Sequence, residues 1–271
     1  AQELHSGFAL LCLWGAGGLI AVAGALSYGE LAAALPRSGG EYHFLGRIYH
    51  PVLGIVAGWI SVTVGFAAPS ALAAMALGEY AATFTSLSPQ PVAVVTIVVI
   101  AVFHGISVRL GRHFHLLTTA LKLALIIVFC SAGLLVPPVG GTDFAPSLAG
   151  WQEVVSPAFA FSLIYVSYAY SGWNAATYLA SEVRRPQQVL PRALLHGTLL
   201  VTALYLLLNF VFLRTVPVAE LAGRLEVGAL SAGVIFGPSG GLLASIMICI
   251  LLAAAGFLIV WMVEKLAGND T

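Results

Sequence analysis

Residues 159–194 decide the fold, and they read FAFSLIYVSYAYSGWNAATYLASEVRRPQQVLPRAL. The run is apolar and long enough to enter a bilayer, yet its middle mixes small, polar and large aromatic residues: Tyr168, Ala169, Tyr170, Ser171, Gly172, Trp173 and Asn174. Ser171 and Gly172 lower the helix propensity at one point, and irregular backbone at membrane depth is tolerated only against protein or a water-filled cavity. The stretch therefore predicts a broken helix beside a cavity.

Two interpretations of these seven residues are open. Small residues in a membrane helix can mark a close contact between helices, and aromatic rings can fill gaps in packing. Alternatively, broken helix ends expose free carbonyls and amides, which many secondary transporters use to bind a charged small solute. Spacing alone does not choose between the two.

The composition is typical of a helical membrane protein. Hydrophobic residues make up 60% of the 271 residues and charged residues 8%, whereas an ordinary soluble domain carries about a quarter charged residues. The strand-length alternation that a transmembrane barrel needs is missing from the sequence. The formal net charge is zero, so the charge balance gives no indication of a nucleic-acid partner.

No grouping of residues predicts an enzyme, a metal site or a cofactor. Cys12, Cys130 and Cys249 lie far apart in separate apolar runs, so they predict buried free thiols. The sequence shows no Ser/His/Asp arrangement, no metal-ligand spacing and no phosphate-binding loop. Its first apolar run is too long for a signal peptide and lacks a basic leader, so we expect a piece of a longer protein.

Seven apolar runs are long enough for a hydrocarbon core about 30 Å thick, which requires roughly 20 residues per helix. The first two are long enough to need tilt or an extension along the interface. We interpret the whole chain, 1–271, as a single transmembrane domain with these segments: 8–35, 52–84, 91–108, 116–136, 155–178, 194–216 and 240–263.

The basic residues of the connecting segments predict the orientation. The loops after the second and fourth runs contain no lysine or arginine, and the loop after the sixth contains two arginines. The loops after the other runs contain Arg37, Arg47, Arg109, Arg112, Arg184, Arg185, Arg192 and Lys265. The positive-inside rule places this second group in the cytoplasm, with the N-terminus outside and the C-terminus inside.

Two motifs resemble one known family, the amino acid-polyamine-organocation (APC) permeases. Residues 25–31 and 36–42 are similar to the family's second transmembrane segment and its cytoplasmic turn. The sixth segment and the loop after it are matched by residues 168–174 followed by Glu182, Pro186, Leu190, Pro191 and Arg192. The resemblance is closest to the L-type amino acid transporter and bacterial amino acid permease branches.

The resemblance implies an all-α, LeuT-like inverted-repeat transporter fold that is incomplete in this chain. The seven runs correspond to the family's segments two to eight, and the match extends to about residue 255. The family's first segment, whose Gly-rich break forms the other half of the substrate site, would be missing. We therefore expect no transport by this chain on its own.

The resemblance also implies that residues 168–174 bind substrate. In the family, the ammonium group of the substrate meets free carbonyls at the breaks of segments one and six. Transferred to this sequence, the carbonyls near Tyr168, Ala169 and Ser171 would hold the ammonium, and the Tyr168 ring would take the place of an aromatic gate. Asn174 matches the family motif but is equally compatible with a hydrogen bond between helices.

Lys122 lies about six residues into the fourth run, or roughly 9 Å along a helix axis. From that depth its side chain can extend to the cytoplasmic interface, which is one interpretation. The other comes from resemblance, because LLTTALKLALII is similar to the family's fifth segment, where a lysine can take the place of a sodium ion. Lys122 would then favour proton coupling, or exchange without an ion, over sodium coupling.

Glu30 and Arg37 are seven residues apart near the cytoplasmic end of the first run, so they would share a helix face. This spacing predicts an interfacial ion pair or an element of a cytoplasmic gate. The basic loop 181–192 predicts either a segment that holds the orientation or, by resemblance, a short cytoplasmic helix that moves with gating.

These observations predict a multi-pass protein of the plasma membrane, by resemblance a bacterial inner membrane. Its function would be amino acid transport by alternating access, as an antiporter or a proton symporter, with the amino acid, the lipid bilayer and a coupling proton as partners. A neutral L-amino acid is favoured because no acidic residue lies beside 168–174. The alternatives are a polyamine or cationic amino acid permease and a non-transporting scaffold or partner-binding module, and the oligomeric state is open.

Overall fold

A computed structural model describes the backbone of residues 4–106, 111–139 and 141–266, and the side chains of 4–102, 116–139 and 141–253. All regular structure in these ranges is helical, which confirms the predicted all-α class. The helices are α1 (Gly7–Ala34), α2 (Gly40–Ile48), α3 (Pro51–Ile60), a π-helix (Ser61–Ala67), α4 (Ala68–Ala82), α5 (Pro89–Ile106), α6 (Gly111–Leu135), α7 (Leu148–Val154), α8 (Pro157–Ala169), a 3₁₀ segment (Trp173–Glu182), α9 (Pro186–Thr215), α10 (Val218–Leu221), α11 (Val227–Phe236) and α12 (Pro238–Leu266).

Each of the seven predicted runs contains a helix. Among the described residues, four helices are long and apolar enough to cross a membrane, and a fifth span results if α7 and Pro157–Glu182, which meet at 62°, are counted as one. The four are Gly7–Ala34, Pro51–Ala82, Leu116–Leu135 and Pro186–Thr215. In the third and seventh runs the side chains are described only to 102 and 253, so the apolar parts that can be assessed there are Pro89–Val102 and Pro238–Ala253.

The basic loop 181–192 is partly helical, because α9 begins within it at Pro186. Its roles in orientation and in gating stay predictions. Proline is favoured at the first position of a helix, where its missing N–H would have no partner and its fixed φ suits the helix. Helix α9 therefore extends eight residues before the start of the sixth predicted run, 194–216.

The described residues form two compact units, each built from segments that are distant in sequence. The first unit contains residues 4–65 and 143–209, and α1 contacts α7, α8 and the 3₁₀ segment within it. Glycines of α1 permit these close approaches. A Cβ atom at Gly17 would lie 2.6 Å from the Val166 side chain, and one at Gly24 would lie 2.5 Å from the Trp173 ring.

The start of α1 is fixed by α7, a short helix that the sequence did not predict. The Glu153 carboxylate accepts hydrogen bonds from the backbone N–H groups of His5 at 3.1 Å and Ser6 at 3.0 Å. Phe8 and Trp151 pack edge to face with ring centroids 5.1 Å apart. Glu153 therefore satisfies N–H groups at the beginning of a helix, where intrahelical acceptors are lacking.

We expect Glu153→Ala to lower the free energy of unfolding by about 1 kcal/mol, because two N–H groups lose a charged acceptor but can partly turn to water. Thermal unfolding of the purified protein in detergent measures the effect. The matched control is Glu220→Ala, which removes an exposed carboxylate from α10 and should leave the melting temperature unchanged. Equal melting temperatures for all three proteins would contradict the prediction.

The second unit contains the described residues of the ranges 66–142 and 210–266, and α12 contacts α4, α5, α6 and α11 within it. Helices α4 and α5 meet closely, since a Cβ at Gly78 would lie 2.4 Å from the Pro89 carbonyl oxygen. Two buried hydroxyls, those of Thr215 and Ser231, are hydrogen-bonded at 2.6 Å. The two hydroxyls satisfy each other, which lowers the cost of burying them.

Candidate functional site

The chain leaves α-helical geometry within the stretch 168–174. Helix α8 ends at Ala169, and the backbone resumes at Trp173 as a 3₁₀ helix. Between them Gly172 has φ +99°, a left-handed conformation that side chains with a Cβ rarely adopt. The break predicted from Ser171 and Gly172 is confirmed, and Gly172 is the residue that permits it.

Four of the seven candidate residues form one exposed surface at the break. Tyr168, Ala169, Ser171 and Gly172 are exposed, with the Tyr168 side chain 37% accessible. A Cβ at Gly172 would meet nothing within 4 Å, so the space beside it is open. Apart from Tyr168 the exposed residues of the break are small, which is the arrangement that a binding site built from backbone groups needs.

The α8 side of the break is held by aromatic residues. Tyr170 is 4% exposed, and its hydroxyl donates a hydrogen bond to the Trp14 carbonyl at 3.0 Å. The rings of Trp14, Tyr170 and Tyr205 pack against one another with centroids 5.1 to 5.9 Å apart. Tyr170 therefore anchors α8 to α1 and α9, which is the packing role that the sequence left open.

Two of the carbonyls predicted to hold an ammonium group already accept hydrogen bonds. The Tyr168 carbonyl accepts from the Ser171 N–H at 3.0 Å, and the Ala169 carbonyl accepts from the Tyr205 hydroxyl at 3.3 Å. A carbonyl oxygen has two lone pairs, so each can accept a second donor.

Trp173 and Asn174, on the far side of the break, make contacts of two different kinds. The Trp173 ring packs against Gly24 and stands perpendicular to the Tyr28 ring, with centroids 5.0 Å apart. The Asn174 side-chain amide donates a hydrogen bond to Glu41. Asn174 is thus bonded to another helical element, as one of the two interpretations of this residue predicts.

Glu41, the only acidic residue of α2, was not predicted as part of the site. Its Oε1 accepts from the Asn174 amide and its Oε2 from the Tyr178 hydroxyl, which also lies 2.7 Å from the Ser61 hydroxyl. Ser61 begins the π-helix, a feature that often occurs at functional sites. An acidic residue directly after the Gly39-Gly40 turn was the available sequence signal.

Glu41 also corrects the argument used for substrate charge. The sequence placed no acidic residue beside 168–174, but α2 brings Glu41 into direct contact with Asn174. On the same helix, burial together with the charges of Arg37 and Arg47 lowers the pKa of His43. Both oxygens of Glu41 are engaged by the uncharged donors of Asn174 and Tyr178.

The predicted ion pair between Glu30 and Arg37 is wrong. Helix α1 ends at Ala34 and Pro36 follows, so Arg37 does not continue the helix face of Glu30. Both residues are exposed, and the one ion pair of the described residues joins Arg224 to Glu226 at 3.1 Å. A gating role for Glu30 and Arg37 stays a prediction.

Lys122 lies in α6 of the second unit and is half-buried. Thr118, one turn earlier on the same helix face, is 8% exposed. The Lys122 stem is therefore on a partly covered face, which agrees both with a side chain that extends to the interface and with a coupling residue. Of the basic residues used to predict orientation, the side chains of Arg109, Arg112 and Lys265 lie outside the described residues.

Comparison with known proteins gives the family. The profile named amino acid permease matches residues 3–265. The chain is 33% identical over 221 residues to the b(0,+)-type amino acid transporter 1 of Homo sapiens, covering 78% of this chain and 45% of the relative. It is 28% identical over 250 residues to the serine/threonine exchanger SteT of Bacillus subtilis, covering 89% and 55%, and 26% identical over 219 residues to the human cystine/glutamate transporter, covering 78% and 44%.

The chain thus spans about half the length of the curated relatives it matches. The relatives are transporters and not enzymes, and the apolar helices make this a multi-pass membrane protein of the LeuT-like fold. The residues that carried the resemblance in the sequence, in the first and fifth runs, fall within the matched range. The chain belongs to the amino acid permease family of the APC superfamily.

Proposed function

We propose that the full-length protein is a secondary transporter that moves amino acids across the plasma membrane by alternating access. The observation that carries the proposal is the exposed break between Ala169 and Trp173 in a chain of the amino acid permease family. The carbonyls of Tyr168, Ala169 and Ser171 bind the substrate's ammonium group. A hydrogen bond from a charged group is worth about 1.5 to 3 kcal/mol, so a few such contacts give useful affinity without a buried charged side chain.

The substrate is a neutral L-amino acid. Glu41 is the acidic group in contact with the break, and its two oxygens already accept hydrogen bonds from Asn174 and Tyr178. A cationic side chain would have to displace those donors. One relative is named a serine/threonine exchanger, which supports a small neutral substrate and an exchange mode.

Coupling depends on Lys122. Its ammonium group lies in the fourth apolar run and supplies the positive charge that a sodium ion would otherwise provide. Transport therefore proceeds by exchange or with a proton. The half-buried position on α6 supports this role, because an ionisable residue within a membrane helix is costly to keep without a function.

The test is uptake of a panel of radiolabelled neutral, acidic and cationic amino acids by the full-length protein in proteoliposomes, with and without a proton gradient and with and without internal amino acid. We expect saturable uptake of neutral amino acids that Lys122→Ala reduces at least tenfold. Lys122→Arg keeps the positive charge but cannot lose a proton under these conditions. Recovery by arginine would indicate that a fixed charge suffices, and failure to recover would indicate a proton-transfer role.

Three other outcomes would contradict parts of the proposal. Preferred uptake of cationic amino acids or polyamines would overturn the neutral substrate. Unchanged uptake in Lys122→Ala would mean that the Lys122 side chain only extends to the membrane interface and takes no part in coupling. No uptake of any solute in the panel would favour the non-transporting module.

A further inference from the structure

The two sides of the break are attached to different parts of the first unit. Helix α8 is held by Tyr170, which contacts Trp14 of α1 and Tyr205 of α9. The 3₁₀ segment is held by Glu41 of α2, through Asn174 and Tyr178. Gly172 lies between the two attachments, and its backbone is in the left-handed conformation described above.

The Glu41 contact is strong for a contact between helical segments. Each carboxylate oxygen accepts from one side chain of the 3₁₀ segment, and hydrogen bonds to an ionised acceptor are about twice as strong as neutral ones. The turn before Glu41 permits the approach, since a Cβ at Gly40 would lie 2.7 Å from the Tyr178 ring. Helix α2 also fits closely against α3, where a Cβ at Gly54 would lie 2.6 Å from the Tyr42 carbonyl oxygen.

Apolar packing supports the same attachment. The buried side chains of Ala32, Phe44, Ala180 and Leu190 form a core between the end of α1, α2, the 3₁₀ segment and the start of α9. At its edge the Ser38 hydroxyl contacts the Ser181 hydroxyl and accepts from the Ser181 N–H at 3.1 Å. The 3₁₀ segment is thus joined to α2 through Asn174, Tyr178 and Ala180, and to the turn before α2 through Ser181.

We propose that Glu41 is a positioning residue of the transport site: it holds the Asn174 amide and the 3₁₀ segment on α2, so that the 3₁₀ side of the break keeps its place beside the exposed residues at the end of α8. This inference rests on the proposed transport function. Removing the carboxylate frees Asn174 and lets the 3₁₀ segment move about Gly172. Substrate affinity falls because the backbone groups of the break are no longer held in one arrangement.

The variants that test this are Glu41→Leu, which keeps the bulk but removes both acceptors, and Glu41→Gln, which keeps one acceptor oxygen for Asn174. Both are made in the full-length protein, with Glu220→Leu and Tyr165→Phe as controls. Glu220 is exposed on α10 and Tyr165 is 77% exposed on α8. Two measurements are made on each protein: uptake kinetics in proteoliposomes, and hydrogen–deuterium exchange of the backbone amides of residues 173–182 and 157–169.

We expect Glu41→Leu to raise KM at least tenfold while the maximal rate per folded transporter changes less than threefold. Exchange should rise severalfold in 173–182 and stay unchanged in 157–169. Glu41→Gln should recover most of the affinity, and Tyr178→Phe should add little to Glu41→Leu because both remove the same contact. A merely structural role would reduce the amount of folded protein without changing KM.

Unchanged KM and unchanged exchange in Glu41→Leu would overturn the inference while leaving the transport proposal intact. An equal rise of exchange in both segments would also overturn it, since Glu41 would then stabilise the whole unit. If the wild-type protein transports no amino acid, the proposed function fails, and exchange confined to 173–182 would still show that Glu41 holds the 3₁₀ segment.

Discussion

Gly172→Val should reduce amino acid uptake by the full-length protein about tenfold or more while leaving most of the protein folded. Gly172 has φ +99°, and a residue with a Cβ pays about 1–2 kcal/mol for such a left-handed backbone. Because 1.4 kcal/mol corresponds to a factor of about ten in a population, this strain is enough to depopulate the broken conformation. The chain would relieve this strain by continuing α8 or by displacing the 3₁₀ segment. Either change removes the break at which the carbonyls bind substrate.

The measurement is initial uptake rate per folded transporter in proteoliposomes, with Gly172→Ala as the milder variant. Gly141→Val is the matched control, since Gly141 also has a positive φ of +61° and open space where a side chain would lie, but belongs to the loop between α6 and α7. The control should cost comparable stability and no specific loss of transport. Wild-type uptake by Gly172→Val would show that transport does not depend on the break.

The break could be predicted from the sequence because its cause is local. Ser171 and Gly172 interrupt an apolar run, and the backbone follows at the predicted position. The long apolar runs could be predicted for the same reason, since about 20 consecutive apolar residues are enough to span a membrane whatever their neighbours.

Two partners of the break, Glu41 and Trp14, could not be predicted, because they come from segments more than a hundred residues away in sequence. Glu41 meets Asn174 across 133 positions, and Tyr170 meets Trp14 across 156. No periodicity encodes such contacts.

The error for Glu30 and Arg37 has a different origin. The seven-residue spacing implies a shared helix face only if the helix continues, and Pro36 prevents that.

Gly24→Val should also reduce transport about tenfold, by displacing Trp173. A Cβ at Gly24 would lie 2.5 Å from the Trp173 ring, which cannot simply swing away because the Tyr28 ring stands against it at 5.0 Å. Overpacking of this kind typically costs about 1–3 kcal/mol. Trp173 is the first residue of the 3₁₀ segment, so its displacement moves the second side of the break.

Gly15→Val is the control for the helix-propensity cost of valine in α1, because a Cβ at Gly15 meets nothing within 4 Å. The double variant Gly24→Val/Trp173→Leu then separates the two interpretations of Trp173. We expect it to recover uptake, since a smaller side chain restores the space between α1 and the 3₁₀ segment. Recovery would assign Trp173 to packing, whereas a double variant as inactive as Gly24→Val alone would mean that the indole ring itself contacts the substrate.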